Sequence, residues 1–316
     1  MVEIDGISYQ VIDGKLYRYA DLTLDKGFKI VLGRPGSEGI LMNLLNRLFG
    51  FGITHLEYRS NEYPGMTEED RASRFDVYCR DENGYGFIVE MQNWSQKYYN
   101  KRAVYYSSLA VQNQAVEEYR RQKEQLRKVW NYDFRPTFVV SFLNFKNWTF
   151  DGCEKRRNEY VATYRYRDVE TGGELNDGTT LIFIDIDRFD RTIETCSTLE
   201  DLWLYSIKNM SNQSYCPDCV AGTEIEELYR QAELAKMTND QRTSFELSVM
   251  SRNDILNSIQ ETIEAEIEKA KAEVTKNVRA EVRAETIRKV LAAGLPADAI
   301  AAALGITVEE CEAYRD

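Results

Sequence analysis

Short apolar runs and helical spacings of apolar residues alternate along the first part of the chain. The runs that predict β-strands occupy residues 53–60, 74–80, 86–92, 137–145 and 179–186. After a Gly- and Pro-containing interruption at 33–36, one predicted helix face carries Leu41, Leu44, Leu45 and Leu48. The segment from Tyr98 to about Trp130 has no Pro or Gly and is rich in Lys, Arg, Gln and Glu, which predicts a long helix.

The pattern changes from Leu199 onward, where helix-forming residues dominate, and 224–290 is almost free of Gly and Pro. A narrow apolar stripe of coiled-coil type steps by three or four residues through Ile259, Ile263, Ile267, Ala270, Val274, Val278 and Val282. A single exposed helix of this length is marginal in water. We therefore expect residues 253–290 to pair with a second copy or to fold back.

The last residues have the rhythm of a helix-turn-helix. A helix that holds Ile300 and Leu304 is followed by a turn at Gly305 and a second helix from about Thr307. The second helix is acidic, which is unfavourable for entering a DNA groove. The predicted organisation is one domain over 1–220 and a helical tail over 221–316.

The composition excludes several kinds of catalytic and metal site. The chain contains one histidine, His55, so histidine triads and His-rich zinc sites are nearly excluded. Cys216 and Cys219 have zinc-knuckle spacing, but no second such pair accompanies them. Neither a signal peptide nor a membrane span is evident, which predicts a cytoplasmic protein with reduced thiols.

The charge is unevenly distributed. The net charge of -12 argues against a surface that is basic throughout, as a protein that coats nucleic acid would need. Residues 97–167 nevertheless carry 15 basic and 7 acidic groups, a local charge of +8, whereas 221–316 carry 12 and 19. The chain thus has a basic segment, which is either a solvated face or a nucleic-acid contact.

Two of the predicted strands, 74–80 and 86–92, suggest a hairpin. A three-residue loop of Glu82, Asn83 and Gly84, with Gly84 in the left-handed region, places Asp76 opposite Glu90, and Gln92 shares their face. A two-residue Asn-Gly turn would instead place Asp76 and Glu90 on opposite faces. We favour the three-residue loop, because it gives the acid inside an otherwise buried strand a partner.

Two carboxylates so close together raise each other's pKa unless a cation lies between them. Mg²⁺ or Mn²⁺ is the expected cation, since both prefer oxygen ligands. The alternative is a pair of acids at the solvated edge of a strand.

The ordered motifs of the chain resemble those of the PD-(D/E)XK nuclease family transposases, relatives of the recombination-promoting nucleases. Asp76 precedes the Glu90-Met91-Gln92 triplet by thirteen intervening residues, and Gln92 stands where these nucleases commonly have lysine. The other matching motifs are Asp25 with Phe28-Lys29 and Gly33, Leu45-Asn46, Arg102 with Tyr105-Tyr106-Ser107-Ser108, Phe142 to Phe145, and Trp203 to Lys208. The resemblance runs over about residues 13–210.

The resemblance implies an α/β fold with a restriction-endonuclease-like core of a helix, a three-stranded meander, a helix and a further strand. It implies that Asp76 and Glu90 hold the metal, that Gln92 orients water or phosphate, and that Asp25 completes the site, with Glu38 and Glu57 as alternatives. Gln92 lacks a positive charge and cannot act as a base, which leaves more of the work to the metal.

The function that this resemblance implies is Mg²⁺-dependent hydrolysis of DNA by an endonuclease that is a homodimer through its tail. The expected DNA contacts are Lys97, Lys101, Arg102, Gln114, Arg120, Arg121, Arg156 and Arg157. The alternative is a catalytically inactive nuclease fold that binds DNA or protein and dimerises through its tail.

Overall fold

The computed structural model describes residues 1–60, 62–63, 73–124, 134–146, 160–175 and 178–315. The chain divides into two compact units, Met1–Met250 and Ser251–Asp316. Arg156 and Arg157, two of the expected DNA contacts, lie outside the described residues.

A six-stranded mixed sheet forms the centre of the first unit. Its strands, in spatial order, are β10 (Val161–Tyr164), β11 (Thr179–Asp185), β9 (Thr137–Leu143), β8 (Gly86–Gln92), β7 (Val77–Asp81) and β4 (Leu56–Tyr58). The three central strands β8, β9 and β11 are parallel, and the other pairings are antiparallel. Every residue of β8 is buried, as expected for a central strand with both faces covered.

The hairpin of β7 and β8 has the three-residue loop that the sequence favoured. Val77 pairs with Val89 and Arg80 pairs with Gly86, in the register that sets Asp76 opposite Glu90. Gly84 has a φ of 80°, the left-handed conformation that a glycine adopts without steric cost.

Helices cover both faces of the sheet. The first core contains α1 (Asp25–Leu32), α2 (Glu38–Phe49), α4 (Leu199–Asn209), α5 (Glu224–Ala232) and the inward side chains Phe87, Val89 and Met91. Helix α3 (Tyr99–Glu124) packs on the opposite face, against Ile88, Val139 and Phe183. Helix α5, which the sequence pattern assigned to the tail, therefore contributes to the core.

Two small antiparallel sheets were not evident from the sequence pattern. A three-stranded meander at the start of the chain comprises β1 (Val2–Ile4), β2 (Ile7–Ile12) and β3 (Lys15–Tyr17). A short ribbon pairs β5 (Glu62–Tyr63) with β6 (Ser73–Arg74).

Helix α6 (Asn239–Ala292) has 54 residues, and the second unit consists of its greater part with α7 (Ala297–Leu304) and α8 (Val308–Glu312). Gly305 ends α7 in the left-handed conformation and Thr307 caps α8, as the terminal pattern predicted. These short helices pack against Ile287 near the end of α6. The apolar stripe does not fold back within the described residues, because its isoleucines and valines remain about half exposed. Among the described helices, none combines the length and apolar character that a membrane crossing requires.

Candidate active site at one end of the hairpin of β7 and β8

Asp76 and Glu90 form the carboxylate pair. Each side chain accepts a hydrogen bond from a backbone N–H at or next to the other residue. The backbone N–H of Asp76 donates to Glu90 Oε1 at 3.0 Å, and the backbone N–H of Met91 donates to Asp76 Oδ2 at 2.8 Å. Both side chains are buried. One oxygen of each carboxylate is thus fixed by the main chain, which leaves Asp76 Oδ1 and Glu90 Oε2 for other partners.

Helix α1 brings Asp25 and Lys29 to this pair. Lys29 Nζ lies 2.8 Å from Asp25 Oδ1 and 2.9 Å from Asp76 Oδ1, so its ammonium group bridges two carboxylates. A turn that positions the helix precedes Asp25, since Asp21 Oδ1 accepts hydrogen bonds from the backbone N–H and the hydroxyl of Thr23. Gly27 permits the close approach of this turn, because a Cβ atom there would lie 2.0 Å from the carbonyl oxygen of Asp21.

Gln92 connects the pair to helix α3. Its Nε2 donates to Glu90 Oε2 at 3.0 Å, and its Oε1 accepts a hydrogen bond from Arg102 Nη2. These partners fix which end of the Gln92 amide faces the acid. Arg102 also donates to Gln96 and lies over the rings of Tyr99 and Tyr106, whereas its buried Nε has no hydrogen-bond partner among the described residues.

Burial and mutual repulsion perturb the acids. Burial raises the pKa of Glu90 to about 7. Burial, followed by repulsion from Glu90, raises the pKa of Asp76 well above its ordinary range. Burial acts to raise the pKa of Asp25 too, but its hydrogen bonds with Asp76 and Lys29 prevail and lower it. The two acids therefore differ in proton affinity, which is lower at Asp25 than at Asp76.

Replacing Glu90 by glutamine should stabilise the metal-free protein at alkaline pH. The pKa of Glu90 rises from 4.5 in the unfolded chain to about 7 in the folded protein. Between pH 4.5 and pH 7 the folded state therefore holds a proton that the unfolded state has lost. Stability therefore falls as the pH rises through this window. We expect Glu90→Gln to unfold with a free energy on the order of 3 kcal/mol higher at pH 8 and with little difference at pH 5.

Urea unfolding in the presence of a chelator measures this difference at both pH values. A lower stability of Glu90→Gln at pH 8, or a difference that does not change with pH, would contradict the burial cost assigned to Glu90.

The donor set fits a small divalent cation. No three acidic, histidine or cysteine side chains gather as a ready metal site in the part of the chain that the structure describes. Mg²⁺, however, is commonly held by one or two carboxylates, with water and substrate phosphate completing its shell. Asp76 Oδ1 and Glu90 Oε2 fit this role, because their present partners are the side chains of Lys29 and Gln92, which can move.

The structure separates the alternatives for the third acid. Asp25 lies in the cluster, whereas Glu38 Oε2 accepts from the backbone of Gly36 at the start of α2 and Glu57 pairs with Arg59 on the edge strand β4. Asp25 is thus the acid of the first helix that the fold brings to the carboxylate pair.

Gln114, one of the expected DNA contacts, is held by hydrogen bonds within the protein. Its side chain is buried, its Nε2 donates to Thr137 Oγ1 at 2.8 Å, and its Oε1 accepts from the backbone N–H of Arg135 at 3.3 Å. It lies twelve residues beyond Arg102, about 18 Å along α3, and stabilises the beginning of β9. In this structure the Gln114 amide thus contacts the protein itself.

The described basic residues lie at two ends of α3. Lys97 and Lys101 are exposed beside the cluster, and Arg102 belongs to it. Arg120 and Arg121 are exposed near the far end, where Arg121 pairs with Glu118.

Lys29 is the residue of the cluster that the sequence pattern did not single out as functional. It is the fifth residue of an amphipathic helix, where a lysine is usually a solvated surface group. Its spacing of four residues from Asp25 indicates a helical ion pair, but nothing local indicates the approach of Asp76.

The sequence model of a family described as PD-(D/E)XK nuclease family transposase matches residues 22–262. The match includes Asp25, Lys29, Asp76, Glu90, Gln92 and Arg102. No curated protein and no solved structure matches the chain.

Proposed function

Because the chain belongs to the PD-(D/E)XK nuclease family transposases, we propose that it is a metal-dependent DNA endonuclease that hydrolyses phosphodiester bonds. The observation that carries the proposal is the carboxylate pair, buried on adjacent strands and joined by Asp25, Lys29 and Gln92. Burying several acids is costly for a fold, and such clusters are typical of active sites.

Asp76 and Glu90 would hold the cation, with Asp25 beside them. A bound Mg²⁺ or Mn²⁺ would neutralise negative charge on the phosphate and lower the pKa of a bound water molecule. Gln92 orients water or the scissile phosphate through its amide, which Glu90 and Arg102 hold in place. It supplies neither a charge nor a base.

The positive charge that Gln92 lacks comes from two neighbouring side chains in this proposal. Lys29 reaches the carboxylate pair from α1, and Arg102 reaches Gln92 from α3. With a cation on Asp76 and Glu90, the Lys29 ammonium, which now bridges Asp25 and Asp76, would supply a positive charge beside the scissile phosphate.

Lys97, Lys101 and Arg102 would bind the DNA backbone next to the site, and Arg120 and Arg121 farther along α3. A helix of 26 residues spans about 39 Å, so these groups would contact phosphates several nucleotides apart.

The proposed activity is tested by incubating the full chain with supercoiled, linear and single-stranded DNA and adding Mg²⁺, Mn²⁺ or Ca²⁺. We expect nicking of at least one of these DNA forms with Mg²⁺ or Mn²⁺ and none with a chelator. If no DNA form is cut with any metal while binding persists, the chain is an inactive nuclease fold that serves as a binding module.

We also propose that α6 pairs with a second copy of the chain. The isoleucines and valines of the stripe are between 44% and 60% exposed, namely Ile259, Ile263, Ile267, Val274, Val278 and Val282. Such a row of apolar side chains along one helix is costly in water unless it is covered. Most neighbouring residues of the stripe are four positions apart, which exceeds the 3.6 residues of one helical turn. This spacing favours a right-handed supercoil of the two helices over the left-handed supercoil of a heptad repeat.

A homodimer of this kind suits an endonuclease, because one active site cuts one strand and a duplex has two. We expect the double variant Ile263→Lys, Ile267→Lys to halve the mass measured by light scattering. The matched control places the same lysines off the stripe, as Glu261→Lys, Glu268→Lys, and should keep the dimer. A stripe variant with unchanged mass would refute pairing through α6.

A further inference from the structure

Of four tyrosines at the start of α3, two are exposed and two face the second core. Tyr98 is 62% exposed and Tyr105 is 54% exposed, whereas Tyr99 is 2% exposed and packs in the second core with Tyr106 beside it. Core packing thus explains Tyr99 and Tyr106, but it does not explain the other two rings.

The exposed rings are accompanied by lysines. Lys97 Nζ lies 5.5 Å and Lys101 Nζ lies 5.7 Å from the centre of the Tyr98 ring. Tyr98 directly precedes α3, and its carbonyl accepts a hydrogen bond from the Arg102 N–H of the first turn. Tyr105 follows seven residues later, two helical turns along the same side, about 10 Å. Lys97, Tyr98, Lys101 and Tyr105 form the tyrosine–lysine face.

This face adjoins the candidate active site. Arg102, the residue after Lys101, donates to Gln92 and to Gln96. A DNA strand with its phosphate at Gln92 and Arg102 would therefore place its neighbouring nucleotides at the tyrosine–lysine face. The continuity of this face with the site and its positive charge favour nucleic acid over another partner.

Aromatic rings beside lysines are the usual means of binding a single strand, because the rings stack on bases and the lysines neutralise phosphates. An interior base of a duplex has both of its faces covered by neighbouring bases. A tyrosine on a helix surface can stack only on a base that is unpaired or at an end.

We propose that the tyrosine–lysine face stacks unpaired bases beside the scissile phosphate, which makes single-stranded or locally unpaired DNA the preferred substrate. The proposal rests on the proposed endonuclease function for the place of the strand, but the stacking can be measured without cleavage.

The test is the affinity of the full chain, in chelator, for a dye-labelled single strand and for a blunt hairpin duplex of the same length. Tyr98→Ala and Tyr105→Ala should each weaken single-strand binding about 10-fold, since a stacked base contributes ~1–3 kcal/mol. Tyr98→Phe and Tyr105→Phe keep the ring and should stay within about 2-fold of the unchanged protein.

Duplex affinity should change less than about 2-fold in all four tyrosine variants. Val116→Ala, an exposed apolar change farther along α3, is the control for the helix surface and should alter neither affinity. Alanine variants that bind the single strand normally, or that weaken single strand and duplex equally, would overturn the proposal. The first of these results would instead indicate a face for a protein partner.

The two proposals can fail separately. Tyrosine-dependent binding of the single strand without cleavage of any DNA form would refute the endonuclease function and retain the stacking face. Metal-dependent cleavage that does not change when either tyrosine is replaced would retain the endonuclease function and refute the stacking face.

Discussion

Replacing Glu90 by glutamine or Asp76 by asparagine is expected to lower the rate of metal-dependent DNA cleavage by about 1,000-fold or more. Each change keeps the size of the side chain and removes one charged ligand of the cation. If a metal supplies ~4 kcal/mol of transition-state stabilisation, its loss corresponds to this factor. Initial rates of plasmid nicking, at the Mn²⁺ concentration that saturates the unchanged protein, measure it.

The matched controls are Glu38→Gln and Glu57→Gln. Both acids were alternatives on sequence grounds, and both lie away from the cluster with partners of their own. They should cleave within about 2-fold of the unchanged protein. Full activity in Asp76→Asn and Glu90→Gln would show that the catalytic carboxylates lie elsewhere.

Replacing Lys29 by methionine is expected to slow cleavage about 100-fold. Removing one group that stabilises developing charge in a transition state typically costs 10²- to 10³-fold. The ammonium now bridges Asp25 and Asp76, so its removal also frees an oxygen of Asp76 for a cation. We therefore expect Lys29→Met to need less Mn²⁺ for half-maximal rate even though its maximal rate is lower.

A lower maximal rate together with a lower Mn²⁺ requirement would identify Lys29 as a catalytic charge. If its role were purely structural, its loss would lower the maximal rate and raise the Mn²⁺ requirement. Lys26→Met is the control, because Lys26 lies on the same helix and is exposed. Lys29→Arg keeps the charge and should retain more activity than Lys29→Met. A Lys29→Met protein that cuts at the normal maximal rate would contradict the proposed role.

The hairpin of β7 and β8 shows how much of the site could be predicted from local sequence. Its turn requires a left-handed residue at Gly84, and this requirement sets the register. The register alone places Asp76 opposite Glu90. The strand pattern at 86–92 was equally decisive, because a buried acid in an apolar run needs a partner.

The rest of the site depends on packing between distant segments. Lys29 reaches Asp76 because α1 packs on the end of β8, a contact that no spacing within the helix reveals. Gln114 shows the converse, since the family resemblance suggested a DNA contact, whereas its side chain is buried and bonded to Thr137. The four tyrosines near the start of α3 divide between core and surface according to which side of the helix meets the sheet.

The tail illustrates a third case. The sequence predicts a long helix with an apolar stripe, and α6 has both. An exposed apolar stripe indicates that another surface covers it. It does not identify that surface, because apolar contacts are not directional. The partner of the stripe therefore stays a prediction, tested by the change in mass described above.

The central claim is that Asp76 and Glu90 form a divalent metal centre, and a calorimetric titration of Mn²⁺ into the full chain tests it most directly. We predict one saturable site per chain in the unchanged protein and in Glu57→Gln, and no such site in Glu90→Gln. Absence of binding in the unchanged protein, or equal binding in Glu90→Gln, would contradict the claim.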